Sequence, residues 1–256
     1  MFTIEPIPAF SDNYIWLLVQ GTKAFAVDPG DAKPLLSILK KRKLELTGVL
    51  ITHHHYDHSG GILEILDKYD AKIYGPTGNH ISGITDGLVD NQSIDVLGVS
   101  FKALSVPGHT DDQLAYFCNS STKPILFSGD TLFAAGCGRL FEGSPRQMHA
   151  SLSRFAELPP ETLVYCGHEY TLSNLNFASI VEPTNKDISS KLEKIKKLRS
   201  ENKVSLPSSI LEELKTNPFM RCDKKNVINA AEKFASKPLN DPSEVLGIIR
   251  KWKDNF

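Results

Sequence analysis

The sequence predicts an α/β fold with two sheets, followed by a smaller all-helical region, and three observations carry that expectation. Short apolar runs of strand type alternate with runs of helical apolar spacing through the first third of the chain. Several more strand-like runs follow between Lys72 and Ser128, a number that implies two sheets. From Thr171 onward the apolar residues keep helical spacing, and no strand is expected after Tyr165.

In order along the chain, Phe2 to Ile7, Tyr14 to Val19 and Ala24 to Val27 read as strands, broken at Ser11-Asp12-Asn13, Gly21 and Asp28-Pro29-Gly30. Pro34 to Leu46 has helical spacing at Leu35, Ile38, Leu39 and Leu46, with Lys40 to Lys43 as its solvated face. Gly48 to Ile51 is a buried strand, and Gly61 to Tyr69 a helix. Further strands are expected at Lys72 to Tyr74, Ser93 to Val96, Val99 to Ser105, Leu114 to Cys118 and Ile125 to Ser128. The helical region reads as Leu172 to Ile180, Ile188 to Asn202, Ser208 to Lys215, Lys225 to Ala235 and Pro242 to Lys253. Ser208 with Glu212 marks one helix start, and Asp241-Pro242-Ser243-Glu244 another, with N-cap, first-turn Pro and capping-box Glu in register. Ile188, Leu192, Ile195 and Leu198 are expected in a core rather than on a partner-binding stripe.

Composition narrows the class of protein. A chain of 256 residues with 41% hydrophobic content can bury a proper core. Its net charge of -1 offers no global attraction for nucleic acid or an anionic membrane. The cysteines Cys118, Cys137, Cys166 and Cys222 form no C-x-x-C pair, which suits reduced thiols. With no basic start leading into an apolar segment, and no apolar run of about 18 residues, the expectation is a cytoplasmic protein without a membrane partner.

The chemistry gathers at strand ends. Thr52-His53-His54-His55-Tyr56-Asp57-His58 follows the strand ending at Ile51, and in a strand-like exit His53, His55 and Asp57 project to one side while His54 and Tyr56 project to the other. Neutral imidazoles with carboxylates fit a hydrolytic metal site, whereas a closed structural zinc site would use cysteines. His109 follows Val106-Pro107-Gly108, Asp130 follows Phe127-Ser128-Gly129, and His168 follows Tyr165-Cys166-Gly167. Each alone reads as a turn or cap residue. Strand ends converge at one edge of an α/β architecture, so a common metal centre explains all four with one cause.

These motifs, Thr52 to His58, Gly108-His109-Thr110, Gly129-Asp130-Thr131 and Gly167-His168, resemble those of the metallo-β-lactamase superfamily. The resemblance implies a four-layer αβ/βα sandwich and two divalent metals, zinc first with iron or manganese as alternatives. It implies one metal on His53, His55 and His109, a second on Asp57, His58 and His168, and Asp130 as the bridge. Within the superfamily the chain is most similar to the hydroxyacylglutathione hydrolase (glyoxalase II) family. That likeness rests also on Ser11-Asp12-Asn13-Tyr14, Asp28-Pro29-Gly30, Gly136-Cys137-Gly138-Arg139, Gly167-His168-Glu169-Tyr170-Thr171, Thr216-Asn217-Pro218-Phe219-Met220-Arg221 and Arg250-Lys251-Trp252-Lys253-Asp254. It implies substrate contacts at Arg139, Tyr170, Arg250 and Lys253, and at Phe141, where many family members carry a tyrosine and this chain keeps only the apolar contact.

The implied reaction is hydrolysis of S-2-hydroxyacylglutathione, S-D-lactoylglutathione above all, to D-lactate and glutathione, the second step of methylglyoxal detoxification. Asp57 and Asp130 would carry the catalysis with a metal-bridging hydroxide as nucleophile, because two cations about 3.5–4 Å apart acidify a shared water towards neutrality. A thiolate leaving group, with a solution pKa of about 8.5, needs little general acid. The implied organisation is a catalytic domain over 1–170 and a helical substrate-binding domain over 171–256, in a monomer. The rival readings are a persulfide dioxygenase, a β-lactamase, a nuclease and a non-catalytic metal-binding scaffold. Arg250 and Lys253 in the helical tail, Asp57, the neutral charge balance and thioester turnover with metal content separate these in turn.

Overall fold

The structure, a computed structural model, describes residues 2–78, 80–119 and 123–256. The backbone gathers into two compact units, one of Met1–Ser105 with Asp112–Gly129 and one of Val106–Asp111 with Asp130–Phe256.

The first unit opens with β1 (Thr3–Ala9), β2 (Asn13–Gln20), β3 (Lys23–Val27), helix α1 (Ala32–Arg42) and β4 (Glu45–Leu50). Two short helices follow, α2 (Tyr56–Ser59) and α3 (Ile62–Leu66), and then β5 (Lys72–Pro76) and β6 (Asp86–Leu88). These strands form one sheet in sequence order, antiparallel from β1 to β3 and parallel from β3 to β6. The parallel pairs need crossovers, and α1 provides the first. Its Ala32, Leu35 and Leu39 are buried and join Ile15, Leu17, Val49, Ile62, Ile65 and Ile73 in a continuous apolar cluster. The strands β7 (Ser93–Val96), β8 (Val99–Ser105), β9 (Leu114–Cys118) and β10 (Ile125–Gly129) form an antiparallel meander.

The second unit begins its ordered elements with the small hairpin of β11 (Leu132–Phe133) and β12 (Gly136–Cys137). Helix α4 (Pro145–Ala156) starts on a reciprocal cap, in which the Ser144 hydroxyl accepts from the Gln147 backbone and the Gln147 side chain accepts from the Ser144 backbone. Then come β13 (Leu163–Cys166), α5 (Thr171–Val181), α6 (Lys186–Ser200), β14 (Ser208–Ser209), α7 (Ile210–Thr216), a 3-10 turn at Pro218–Met220, α8 (Lys225–Ala235) and α9 (Pro242–Asp254).

Several expectations shift. The helix read over Pro34 to Leu46 ends at Arg42, because Lys43 takes the left-handed conformation of a C-cap and Leu44 and Leu46 turn inward. The helix read from Gly61 to Tyr69 runs only from Ile62 to Leu66. A strand does follow Tyr165, since Ser208–Ser209 pairs antiparallel with Leu163–Val164. That pairing moves the α7 cap to Ser209, whose hydroxyl accepts from the Glu212 amide. Asp241 caps α9 as read, accepting from the Ser243 and Glu244 amides. Ile188 and Ile195 are buried in a cluster with Ala135, Leu175 and Ala178, against which Leu192 and Leu198 pack.

A buried carboxylate ties the helices of this unit to its hairpin. Glu213 accepts from the Ala135 amide at 2.6 Å, from Asn217 Nδ2 at 3.0 Å and from Lys191 Nζ at 2.9 Å. Asn217 Nδ2 also donates to the carbonyls of Phe133 and Gly136, so both residues grip the β11–β12 turn. Burial alone would lower the Lys191 ammonium, but the Glu213 and Glu212 carboxylates outweigh it and lift its pKa. Glu213→Ala leaves this ammonium and the Ala135 amide without their main acceptor and is expected to cost about 3–5 kcal/mol, read as a lowered urea midpoint. An unchanged midpoint would show that the network is not holding the hairpin.

Candidate metal centre

In the first unit the site grows out of strand register. β3 and β4 run parallel with Val27 opposite Leu50, so the residues just past them, Asp28 and Thr52, come out side by side. Asp28, almost fully buried, accepts from the Thr52 amide at 2.8 Å through Oδ1 and from the Thr52 hydroxyl at 2.8 Å through Oδ2. The same Oδ2 lies 2.9 Å from His58 Nδ1.

These bonds fix imidazole tautomers. A carboxylate only accepts here, so His58 Nδ1 carries a proton and Nε2 keeps the lone pair. Thr52 Oγ1 gives its own proton to Asp28, so at 3.0 Å from His53 Nδ1 it acts as the acceptor. His53 therefore also presents a bare Nε2, which stands 3.1 Å from His55 Nδ1. Asp57 Oδ2 lies 3.5 Å from His58 Nε2 and accepts from Asn13 Nδ2 at 2.9 Å. Adjacent donors around a cation with bonds of about 2.0–2.1 Å are separated by about 3.3–3.4 Å in a tetrahedron, so the His/His and Asp/His spacings both fit a metal edge.

Asp57 does not leave the strand in extended form, as read from sequence, but joins His58 in a helical turn. Both lie in the α2 turn, where the Ser59 amide donates to the His55 carbonyl. That turn closes because residue 30 is glycine: a Cβ there would sit 1.9 Å from the Asp57 carbonyl oxygen. His54 points instead to Asp112, with Nδ1 at 3.2 Å from the carboxylate.

In the second unit, His109, Asp130 and His168 meet. Asp130 Oδ2 is 3.5 Å from His109 Nε2 and 3.2 Å from His168 Nε2, so a single carboxylate oxygen has two imidazole nitrogens at metal-edge spacing. His109 Nδ1 donates to the Arg139 carbonyl at 2.8 Å, which again leaves Nε2 as the ligand nitrogen. The loop carrying Arg139 can come this close because Gly138 has no Cβ, which would meet the Asp130 carbonyl oxygen at 2.1 Å. The Tyr170 ring stacks on His168 at 4.7 Å, and Phe133 stands edge-on to the same imidazole at 5.8 Å. Every donor in both sets is histidine or aspartate. The four cysteines are buried without disulfides, and burial pushes the Cys166 thiol up to about 12.

The remaining candidates separate by environment. Arg139 is exposed, its Nε 3.6 Å from Asp254. Phe141, 63% exposed, presents its ring edge-on to His109 at 5.3 Å. Lys253 lies over the Phe177 ring at 5.4 Å, and burial together with the neighbouring Arg250 lowers its pKa to about 8. Arg250 differs from the partly exposed charge expected of it. It is 4% exposed, donates to the Cys137 carbonyl at 2.8 Å, pairs with Asp254 at 3.0 Å and lies over Phe219. Sequence reading gave Asp28 and Asn13 no role at the site. The available signal was an acid one step past a strand that runs parallel to the histidine-bearing strand.

The fold and these donor sets define a metal-dependent hydrolase of the metallo-β-lactamase class. Residues 10–168 match the metallo-beta-lactamase superfamily, and residues 169–256 match the hydroxyacylglutathione hydrolase C-terminus. The solved structures of ETHE1 from Myxococcus xanthus (24% identity, TM-score 0.66, covering 99% of this chain and 98% of that one) and of the B3 metallo-beta-lactamase BLEG-1 (24% identity, TM-score 0.62, covering 86% and 99%) share the fold. Hydroxyacylglutathione hydrolases of Pseudomonas syringae pv. syringae, at 49% identity, and Ectopseudomonas mendocina, at 48%, align over 100% of both chains. The chain belongs to the hydroxyacylglutathione hydrolase family of that superfamily.

Asp28→Asn tests the tautomer argument. The amide would turn an N–H towards either His58 Nδ1–H or the Thr52 donors, so metal affinity is expected to fall by about 10–100-fold while the fold persists. Chelator competition on the folded variant measures this, and unaltered affinity would refute it.

Proposed function

We propose that this hydrolase acts on S-2-hydroxyacylglutathione, with S-D-lactoylglutathione giving D-lactate and glutathione, in the second step of methylglyoxal detoxification. The observation that most supports this reading is Asp130, one oxygen of which faces the Nε2 atoms of His109 and His168 at metal-edge distances. His53, His55 and His109 would hold one divalent metal and Asp57, His58 and His168 the other, with Asp130 shared between them. Zinc suits such a His/Asp set, as do iron and manganese. When bound, the pair supplies Lewis-acid polarisation of the thioester carbonyl and a water acidified to near neutrality.

The chain's own residues do the rest. Asp57 is held in place by Asn13, while Asp28 and Thr52 keep the ligand nitrogens of His53 and His58 unprotonated. Arg139 and Lys253 offer charge to the carboxylates of glutathione, with Tyr170 and Phe141 as apolar walls. Arg250, buried against Cys137 and Phe219, fixes the helix that carries Lys253. On this reading 1–170 is the catalytic domain and 171–256 the substrate-binding one. Four thiols without a disulfide fit a cytoplasmic setting, and among the described residues no helix is long and apolar enough to cross a membrane.

Turnover of S-D-lactoylglutathione, measured with elemental analysis, tests the reading. Wild type should carry two metals and release glutathione, and Asp130→Ala should lose metal and turnover together; two full metals with near-normal turnover in that variant would remove Asp130 from the centre.

Lys253 makes a second prediction, with a pH sign. Its ammonium is charged below about pH 8 and neutral above, so KM for the glutathione thioester should climb as pH rises through about 8. Lys253→Ala should raise KM by roughly ten-fold at pH 7 and flatten that rise, a charge-assisted contact being worth about 1.5–3 kcal/mol before solvent exposure reduces it. A KM profile identical in wild type and variant would place Lys253 outside the substrate contacts.

A further inference from the structure

Two exposed aromatic rings stand together without a role in the core, one of them on the residue before Asp57. Phe10, at the tip between β1 and β2, is 52% exposed, and Tyr56, the first residue of α2, is 73% exposed. Far apart in sequence, they bring their ring centroids to 6.5 Å at a tilt of 52°. Phe10 also sits at φ 49°, a left-handed conformation that a bulky side chain adopts only where its surroundings impose it, and such positions gather at functional sites.

The tip that carries Phe10 is tied to the site. Asn13, at its far side, donates through Nδ2 to the Asp57 carboxylate at 2.9 Å and to the Asp57 carbonyl at 3.4 Å, and Tyr56 directly precedes Asp57 in the same helical turn. The tip is thus joined to Asp57 through Asn13, and Tyr56 is joined to it by the chain, in a turn whose carboxylate is assigned above to metal binding. Asp12 lies two residues along the tip from Phe10, and Asp57 directly follows Tyr56, so the charges adjoining the pair in the chain are negative. Glutathione, which carries two carboxylates, gains nothing by shedding water there. An apolar group bonded to the acyl carbon does gain, because that carbon must come to the metals for its carbonyl to be attacked.

We propose that Phe10 and Tyr56 receive the substituent on the 2-carbon of the acyl group and so set the acyl preference towards aromatic and branched apolar 2-hydroxyacyl thioesters. This rests on the thioester hydrolase reading above and adds to it the side of the substrate that glutathione recognition leaves open. Tyr56 acts through its ring face rather than its hydroxyl, so phenylalanine serves equally at that position.

The test compares kcat/KM for the 2-hydroxy-2-phenylacetyl and 2-hydroxyacetyl thioesters of glutathione, with metal content measured on every variant. The ratio of phenyl to unsubstituted substrate should fall by about three- to ten-fold in Phe10→Ala and in Tyr56→Ala, the scale of one aromatic contact, and should be retained in Tyr56→Phe. An unmoved ratio in both alanine variants, whether or not metal is lost, overturns the assignment, and so does a ratio that falls equally in Tyr56→Phe. Wild type that cleaves neither thioester would sink the hydrolase reading and this one with it, whereas active wild type with unmoved ratios would sink this one alone.

Discussion

The donor set of the first unit depends on one buried carboxylate. Asp28 has lost nearly all its contact with water, and a buried carboxylate is tolerated only when strong donors replace that water. The Thr52 amide, the Thr52 hydroxyl and His58 Nδ1 are those donors, all within 2.9 Å. What brings them together is a register shift in the β3–β4 ladder between Ala24 and Phe25, past which Ala26 pairs with Val49 and Val27 with Leu50. Thr47, the extra residue, turns its hydroxyl to the Ala24 carbonyl. Without the shift Val27 would face Val49, and Asp28 would fall one residue short of Thr52 with its side chain to the wrong face. The tautomers of two candidate ligands thus trace back to a single extra residue in β4.

Legibility in the sequence followed the range of the interactions. Features set by neighbours were readable: the cap and first-turn Pro of α9, the bounds of α8, and the histidines stationed just past apolar strands. Features set by distant residues were not. That Asp57 and His58 sit in a helical turn follows from the room left by Gly30, which no local pattern around residue 57 announces. β14 is two residues long and exists because Leu163 and Val164 lie beside it. Asp28 read as part of a Pro-Gly turn, and it does begin that turn, but its carboxylate serves a strand it meets only in the folded sheet.

The donor set of the second unit uses a different device, the holding of candidate ligands from outside. Asp130 precedes the β11–β12 hairpin, and the turn of that hairpin is gripped by Glu213 and Asn217 from α7 and just beyond it. The same hairpin ends at Cys137, whose carbonyl accepts a hydrogen bond from Arg250 in α9. The helices therefore act on the donor set through the hairpin. They fix both ends of the hairpin that separates Asp130 from Arg139, and the Arg139 carbonyl in turn sets the tautomer of His109.

This explains why Arg250 and Lys253, one turn apart on α9, have such different surroundings. Arginine keeps its charge at any working pH and presents several donors in a rigid plane, so it can be buried and shared between a carbonyl, a carboxylate and a ring face. Arg250 does all three. A lysine in that place would satisfy fewer acceptors and would lose its proton to burial, as the lowered pKa of Lys253 shows even where some solvent remains. Arg250 also contributes to that lowering, since a second positive charge nearby disfavours the Lys253 ammonium until an anion arrives. A carboxylate placed beside Lys253 would offset both penalties, so the balance of charge and burial on α9 makes the ammonium the form that an anion selects.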